Sequence, residues 1–233
     1  RVAIIQSSYI PWKGYFDIIH DVDLFIFYDD VQFTYRDWRT RNRIKTEKGL
    51  YWLTIPTGNQ RQRLICDVTI PDADWQLRHW RIILQYYRKA PFFDLYRAEL
   101  EEVYLGTRWE RLSPLNQYLI RKMCAWLGIT TPLEDSRKFQ AKGRKTDRLI
   151  EILKACGATE YLSGPSAKDY IEAEKFEAAG IKLLWKDYSG YPEYPQFFPP
   201  FRHDVTVLDL LFHTGPNAPW YIWGWRTSPK PAS

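Results

Sequence analysis

One methionine, four histidines and three cysteines are all that this 233-residue chain offers of the side chains that bind soft metals. His20, His79, His203 and His213 lack close ligand spacing, and no pair of cysteines joins them. A structural zinc site needs such pairs at short intervals, so no metal centre is expected. Cys66, Cys124 and Cys156 are odd in number, far apart and each in an apolar setting. They read as buried thiols in a reducing compartment, which excludes a disulfide framework. No apolar run approaches the ~20 residues of a membrane span, and no stretch reads as a secretory signal. The expectation is a cytoplasmic protein without a membrane span. Also missing are a GxGxxG loop, the GxxxxGK[ST] phosphate loop, a GxSxG nucleophile elbow and any Cys–His signature. Neither sign of charge dominates, since 33 Lys and Arg are interleaved with 28 Asp and Glu for a net +5. Such a balance suits a small anionic substrate. It argues against nucleic acid as a partner, which calls for a concentrated basic face.

The excess lies in aromatics: 11 Trp, 16 Tyr and 12 Phe make up 17% of the chain. Any one of them is most simply a core residue, but at this density the remainder line concave sites for rings such as sugars and bases. The opening stretch, Val2 to Phe33, is the most informative. An apolar run (Val2 to Ile5) enters a polar, aromatic elbow from Gln6 to Gly14. A short amphipathic segment follows, then a second apolar run, Leu24 to Tyr28, that ends in Asp29 and Asp30. The pattern predicts strand, loop, helix, strand, with polar clusters at the carboxyl ends of neighbouring strands, the edge where open α/β sheets bind ligands.

Farther along, GLYWLTIP and LICDVTI alternate well enough to be paired strands. Residues 72–128 read as helical. Asp74 is expected to cap the first helix, and Ser113 the last, with Pro114 in its first turn and Gly128 at its stop. From Lys145 the chain alternates again: a helix, the strand EYLSG, a loop GPSAKDY, a helix, and the strand IKLLWKDY. Connections of this kind imply parallel strands. Residues 189–201 must be extended and irregular, and a final helix is expected from Val205 to His213. The fold class expected is α/β, a mostly parallel Rossmann-like sheet with a helical insertion. One domain spans residues 1–225, with 72–128 as insertion or lobe and 226–233 as a disordered tail.

Several constellations are suited to chemistry. In the elbow, Gln6 and Ser8 supply an amide and a hydroxyl, while Tyr9, Trp12 and Tyr15 supply flat faces with polar edges. A tight turn with buried aromatics is the structural alternative. Asp29 or Asp30 can orient a sugar hydroxyl, hold Mg²⁺ through water or act as a general base, or can be a turn acid. His79 is the candidate acid–base histidine, against a structural role. Arg36, Arg39, Arg41, Arg43, Lys45 and Lys48, with Asn42, match phosphate and carboxylate geometry, against a solvated loop. Gln32, just upstream, joins the binding set. Ser163, Gly164, Ser166 and Lys168 form a small-residue loop that lets backbone approach a ligand and neutralises a phosphate. Tyr191, Tyr194 and Gln196 form a proline-stiffened wall for a sugar ring, against proline-rich surface coil. The elbow and the loop near residue 165 should open onto one hollow.

Taken together, IIQSSYIPWKGYF, FYDDVQFTYRDWRTRNRIKT, GLYWLTIP, His79-Trp80, YLSGPSAKDYI, DYSGYPEYPQ and VLDLLFHTGP resemble the WbqC-like family over nearly the whole chain, from Val2 to Trp220. Many members carry His-Gln-Pro where this chain has Ile5-Gln6-Ser7, so a mechanism that needs that histidine does not transfer. The resemblance implies a transferase in bacterial surface-polysaccharide (O-antigen) precursor synthesis. The implied step is aminoacyl or glycine transfer to a nucleotide-linked amino sugar, with ATP and Mg²⁺ as the candidate cofactors. A more distant likeness is to the nucleotidylyltransferase-type α/β fold, without its His-x-Gly-His. A nucleotidylyltransferase-like enzyme and a non-catalytic sugar- or nucleotide-binding protein are the alternatives.

Overall fold

A computed structural model of the protein describes residues 1–58, 60, 62–71 and 74–231. Val2, Ala3, Ile4 and Ile5 form β1 (Val2–Ile5), an apolar run of the kind that suits a strand covered on both faces. Helix α1 (Lys13–His20) follows the Pro11-Trp12 corner and buries Phe16, Ile18 and Ile19. β2 (Leu24–Phe27) then lies parallel to β1, in register from Val2–Leu24 to Ile5–Phe27.

Five parallel strands make the central sheet in the order β5-β2-β1-β6-β7. The others are β5 (Leu133–Asp135), β6 (Glu160–Ser163) and β7 (Lys182–Trp185). The chain runs outward from β1 through β2 to β5. It then returns by α5 (Lys145–Ala155) to the other side of β1, and reaches β7 by α6 (Ala173–Ala178). Strand order therefore reverses between β1 and β6. Their ladder is the single pair Val2–Tyr161, so the two strands part toward their carboxyl ends and leave a crevice.

Side-chain alternation sorts the sheet between two cores. Ala3, Phe25 and Phe27 join the larger one, with α1 and the helical middle; Val2, Ile4 and Ile26 join Leu149, Ile152, Leu153 and Phe176 on the opposite face. The helices of the middle segment are α2 (Asp74–Tyr87), α3 (Phe93–Glu101), continued by a π turn at Glu102–Gly106, and α4 (Leu112–Trp126). Trp75, Trp80, Leu115 and Leu119 share the larger core with sheet residues, so the middle segment packs into the same interior. α7 (Val207–Thr214), every residue of it buried, closes that core.

Three local expectations are corrected. GLYWLTIP forms β4 (Gly49–Thr54), but its partner is the charged run, β3 (Arg41–Thr46), across a two-residue turn at Glu47-Lys48. Gly49, at φ +101°, takes the turn conformation that a side chain disfavours, so the adjacent segment folds back before LICDVTI is reached. LICDVTI instead holds a 3-10 turn at Ile65–Asp67. Ser113 lies inside α4 and does not cap it; its hydroxyl bonds the Asp29 carboxylate instead. β5 was not anticipated, because three polar-flanked residues carry no readable period. Cys66 and Cys124 are buried free thiols, whereas Cys156 is half-buried. Among the described residues, no helix is long and apolar enough to cross a membrane.

Candidate functional site

The crevice between β1 and β6 widens into a cavity of about 550 Å³. The elbow after β1 contributes Gln6, Ser8, Pro11, Trp12 and Tyr15, and the turn after β6 contributes Ser163, Gly164, Pro165, Ser166 and Ala167. These two segments, separated by about 150 residues of chain, do open onto one hollow. The segment leading into β3 adds Trp38 and Arg39, and β3 itself adds Asn42 and Arg43; Tyr170, Tyr188 and Asp204 complete the mouth and sides. A second hollow, about 420 Å³, lies at the sheet edge against α6 and β7. It is wide open and gathers few polar groups, so it is a weaker candidate.

The wall is held from behind. Asp29 is fully buried; its carboxylate accepts the Ser7 N–H at 2.8 Å, the Ser113 hydroxyl, and the Gln117 amide at 3.1 Å, which fixes the elbow. Tyr15 donates its hydroxyl to the Gln6 carbonyl at 3.0 Å. The Asn42 amide donates to the Tyr9 carbonyl at 3.1 Å, and the Tyr9 N–H to the Trp38 carbonyl at 3.0 Å, tying the hairpin to the elbow. Arg39 is braced by Asp37 at 3.0 Å and reaches the Gln6 side-chain oxygen at 3.2 Å. Trp12 stands edge-on to Tyr188, with ring centroids 5.2 Å apart, so the aromatic wall is itself packed.

The electrostatics favour an anion. Among the described lining residues Arg39 and Arg43 stand against one carboxylate, Asp204. Asp204 pairs with Arg202 at 2.7 Å and with Arg43 at 3.0 Å. The Arg202 hydrogen bond is the main reason its carboxyl is held below the usual range. Asp204 was not singled out from sequence, because its signal comes only from the fold that returns it to β3. Among the described residues no three His, Cys, Asp or Glu converge as a metal-binding group. ATP with Mg²⁺ would therefore bring its metal on the phosphates, with few carboxylates contributed by the protein.

Of the residues expected from sequence, Gln6, Ser8, Trp12, Tyr15, Arg39, Asn42, Arg43, Ser163, Gly164 and Ser166 line the cavity. The others lie off its wall. Asp29 braces the elbow from behind, and Asp30 accepts the Ser136 hydroxyl at 2.5 Å and pairs with Arg148. His79 is buried on α2, 2.8 Å from the Tyr9 hydroxyl, and burial lowers its pKa to about 3, which leaves a neutral ring without access to a ligand in the cavity. Tyr9 is fully buried in the same chain of hydrogen bonds, which continues to Tyr104 at 2.6 Å. Tyr191 and Tyr194 turn their hydroxyls inward, to Asp17 at 2.5 Å and Asp209 at 2.6 Å, because those buried carboxylates need donors. Gln196 also bonds Asp209, at 2.7 Å. Gln32 is on an exposed bridge to Leu64, Arg36 lies over the Tyr35 ring, Arg41 over Trp52, and Lys168 over Trp185. Sequence reasoning missed Trp38, Tyr170, Tyr188 and Asp204 as wall residues, since nothing in their spacing marks them.

The chain is 44% identical over 225 residues to the uncharacterized protein Rv1507c of Mycobacterium tuberculosis, a match covering 95% of this chain and 97% of that protein. No solved structure matches it. The sequence profile of the WbqC-like protein family matches residues 6–221, nearly the whole chain. A match of that extent shows that the protein belongs to the WbqC-like family.

Proposed function

We propose that the protein is a transferase of surface-polysaccharide precursor synthesis, and that the cavity between β1 and β6 binds a nucleotide-linked amino sugar for acylation by an amino acid. The observation that carries this reading is the convergence of the elbow and the Ser163–Ser166 turn with Arg39 and Arg43 on one cavity at the point where strand order reverses. In this reading Arg39 and Arg43 hold a diphosphate, each charge-assisted hydrogen bond worth about 1.5–3 kcal/mol. Trp12, Tyr15 and Tyr188 cover ring faces, while Ser8, Asn42, Ser163 and Ser166 meet sugar hydroxyls. Acyl transfer forms a C–N bond to the sugar amine, breaks the bond from the acyl carbon to its leaving group, and releases one amine proton. Asp204, the carboxylate among the lining residues, is held ionised by Arg202 and is suited to orient the amine.

The same feature favours a second reading, a non-catalytic carrier of a sugar nucleotide. The lining residues include no histidine or lysine, and Asp204 is engaged by two arginines. Incubating the purified chain with nucleotide amino sugars, glycine and ATP separates the two. Sugar-dependent AMP release with an N-acylated product supports the transferase. Thermal stabilisation by the sugar nucleotide without turnover supports the carrier, and neither effect removes both.

A further inference from the structure

The β3–β4 hairpin and the segment leading into it bring Arg41, Arg43, Trp52 and Trp38 together. Trp38 and Trp52 are 43% and 37% exposed, and their ring centroids lie 5.5 Å apart at 40°. Arg43 stands directly across the ladder from Trp52. Its guanidinium sits over both indoles, 5.2 Å from Trp38 and 5.1 Å from Trp52, and Arg41 covers Trp52 at 4.2 Å. Arg41 has no carboxylate within ion-pair distance among the described residues, and its Nε is buried without a hydrogen-bond partner. Exposed tryptophans in contact are a liability on a monomer's surface unless something uses them. Trp38, Arg39 and Arg43 also line the cavity, so this cluster is continuous with its mouth.

We infer that Trp38 and Arg41 extend the diphosphate site of Arg39 and Arg43 into a binding subsite for a nucleoside diphosphate, the base stacking on Trp38 and the two phosphates meeting the edges of these guanidinium groups. The inference rests on the reading of the cavity as a sugar-nucleotide site, and it fixes which end of the ligand lies outside. A guanidinium stacked on an indole spends its face there and keeps its in-plane N–H donors, the geometry that phosphate oxygens take; Arg41 is so placed, whereas Arg43 already gives one donor to Asp204 at 3.0 Å. The two indoles are too close and too tilted to hold a ring between them, so a base would stack on Trp38 from outside the pair. Its position is fixed by backbone: the Trp38 carbonyl accepts the Tyr9 N–H, and Thr40 N–H bonds back to Asp37. A ligand with a flat ring, then two phosphates, then a sugar matches platform, arginines and cavity in that order. Single-stranded nucleic acid needs successive aromatic steps along a basic groove, whereas here the two indoles touch each other at 40° and make a single step.

Calorimetric titration of the intact protein tests it with UDP, dTDP, CDP, GDP and ADP, with uridine, and with glucosamine 1-phosphate. For whichever diphosphate binds, Trp38→Ala should weaken affinity about tenfold, within the range of a lost base–aromatic stack. Trp38→Phe should restore most of it, and glucosamine 1-phosphate should bind both variants as it binds the native chain. Arg41→Gln should weaken the diphosphate and leave the bare nucleoside unchanged. Circular dichroism confirms that each variant is folded. Unchanged diphosphate affinity in Trp38→Ala overturns the subsite, as does an equal loss for the sugar phosphate. Binding of the sugar phosphate with no nucleotide binding overturns it too, while leaving the cavity as a sugar site. Trp38-dependent diphosphate binding with no acylated product upholds the subsite and removes the transferase. A single-stranded RNA oligomer that binds more tightly than any diphosphate, and depends on Trp38, replaces it with a nucleic-acid surface.

Discussion

Lys13 places its ammonium among the rings of Tyr191, Tyr194 and Phe201, 4.8, 5.6 and 5.9 Å from their centroids. It is 2% exposed and has no hydrogen-bond acceptor among the described residues. Burial pulls its pKa from 10.5 to about 8, against the opposing pull of Asp209, Asp17 and Glu193. Between those two values the unfolded chain holds a proton that the folded chain has released, so this residue's contribution to stability rises with pH across the window. Below about pH 8 the full penalty is present. Lys13→Met should therefore be more stable than the native chain near pH 7, by up to about 3 kcal/mol. In urea melts that gap should close between pH 8 and 10.5; a gap independent of pH would assign it to packing. His79 is the complementary case. Burial moves its pKa from 6.5 to about 3, so the stability gained by keeping it neutral is complete above pH 6.5 and is lost as pH falls toward 3. His79→Asn should flatten the acid limb of the stability curve over that interval, and a binding or rate profile with a midpoint near 6 to 7 must come from another group.

At the scale of elements, the turn from β1 into α1 depends on Gly14. A Cβ built there would lie 2.2 Å from the Trp12 ring, so any side chain must push the indole off the cavity wall. Gly14→Ala is expected to cost about 1–3 kcal/mol of stability, the usual penalty for overpacking, and, under the proposed function, to lower sugar-nucleotide affinity. In a Trp12→Ala background the same change should be nearly neutral, and a double-mutant cycle that shows simple additivity would exclude this coupling. The elbow's other support is Asp29, which takes three donors from the elbow and α4. Asp29→Ala leaves the Ser7 N–H and the Ser113 hydroxyl without this acceptor, while Gln117 keeps Asp135 at 3.0 Å, and a loss of about 2–4 kcal/mol is expected in denaturant melts. A stable Asp29→Ala protein with selectively lost turnover would instead point to a catalytic carboxylate. These two positions also mark what the sequence conveyed. Strand–elbow–helix–strand was legible because apolar runs, Pro11 and Gly14 act locally. That Asp29 faces inward was not, because its partners Ser113 and Gln117 lie some 85 residues away. The β3 strand was hidden for a related reason: its alternation is carried by arginines and lysine, whose burial is decided by Tyr87, Trp52 and the segment near Pro200.

Across the whole molecule, the two ends of the chain meet at Asp17. This fully buried carboxylate takes both donors of Arg226, at 2.9 and 2.8 Å, with Lys186 at 3.0 Å and the Tyr191 hydroxyl at 2.5 Å. Arg226 begins the stretch that the sequence suggested as tail. Breaking a buried pair leaves an uncompensated charge, so Arg226→Ala should cost about 2–4 kcal/mol, moderated by the remaining partners. Breaking the exposed Arg1–Glu160 pair, by Glu160→Gln, should cost under about 1 kcal/mol. Equal effects of the two changes in urea melts would contradict this ranking. Fold class was legible at this scale, since alternating helices and strands after Lys145 leave few topologies open. The cavity's far wall was legible only in part: the Ser163–Ser166 turn was visible as a motif, but Tyr188 and Asp204 arrive through irregular chain that follows no period. The reversal of strand order has a consequence for biosynthesis. Val2–Ser8 is translated some 150 residues before residues 160–166, the segment that faces it across the cavity. A nascent or truncated chain ending before that point has half a cavity, so ligand cannot stabilise it. In the proposed reading, ligand capture thus waits until both walls of the cavity have been made.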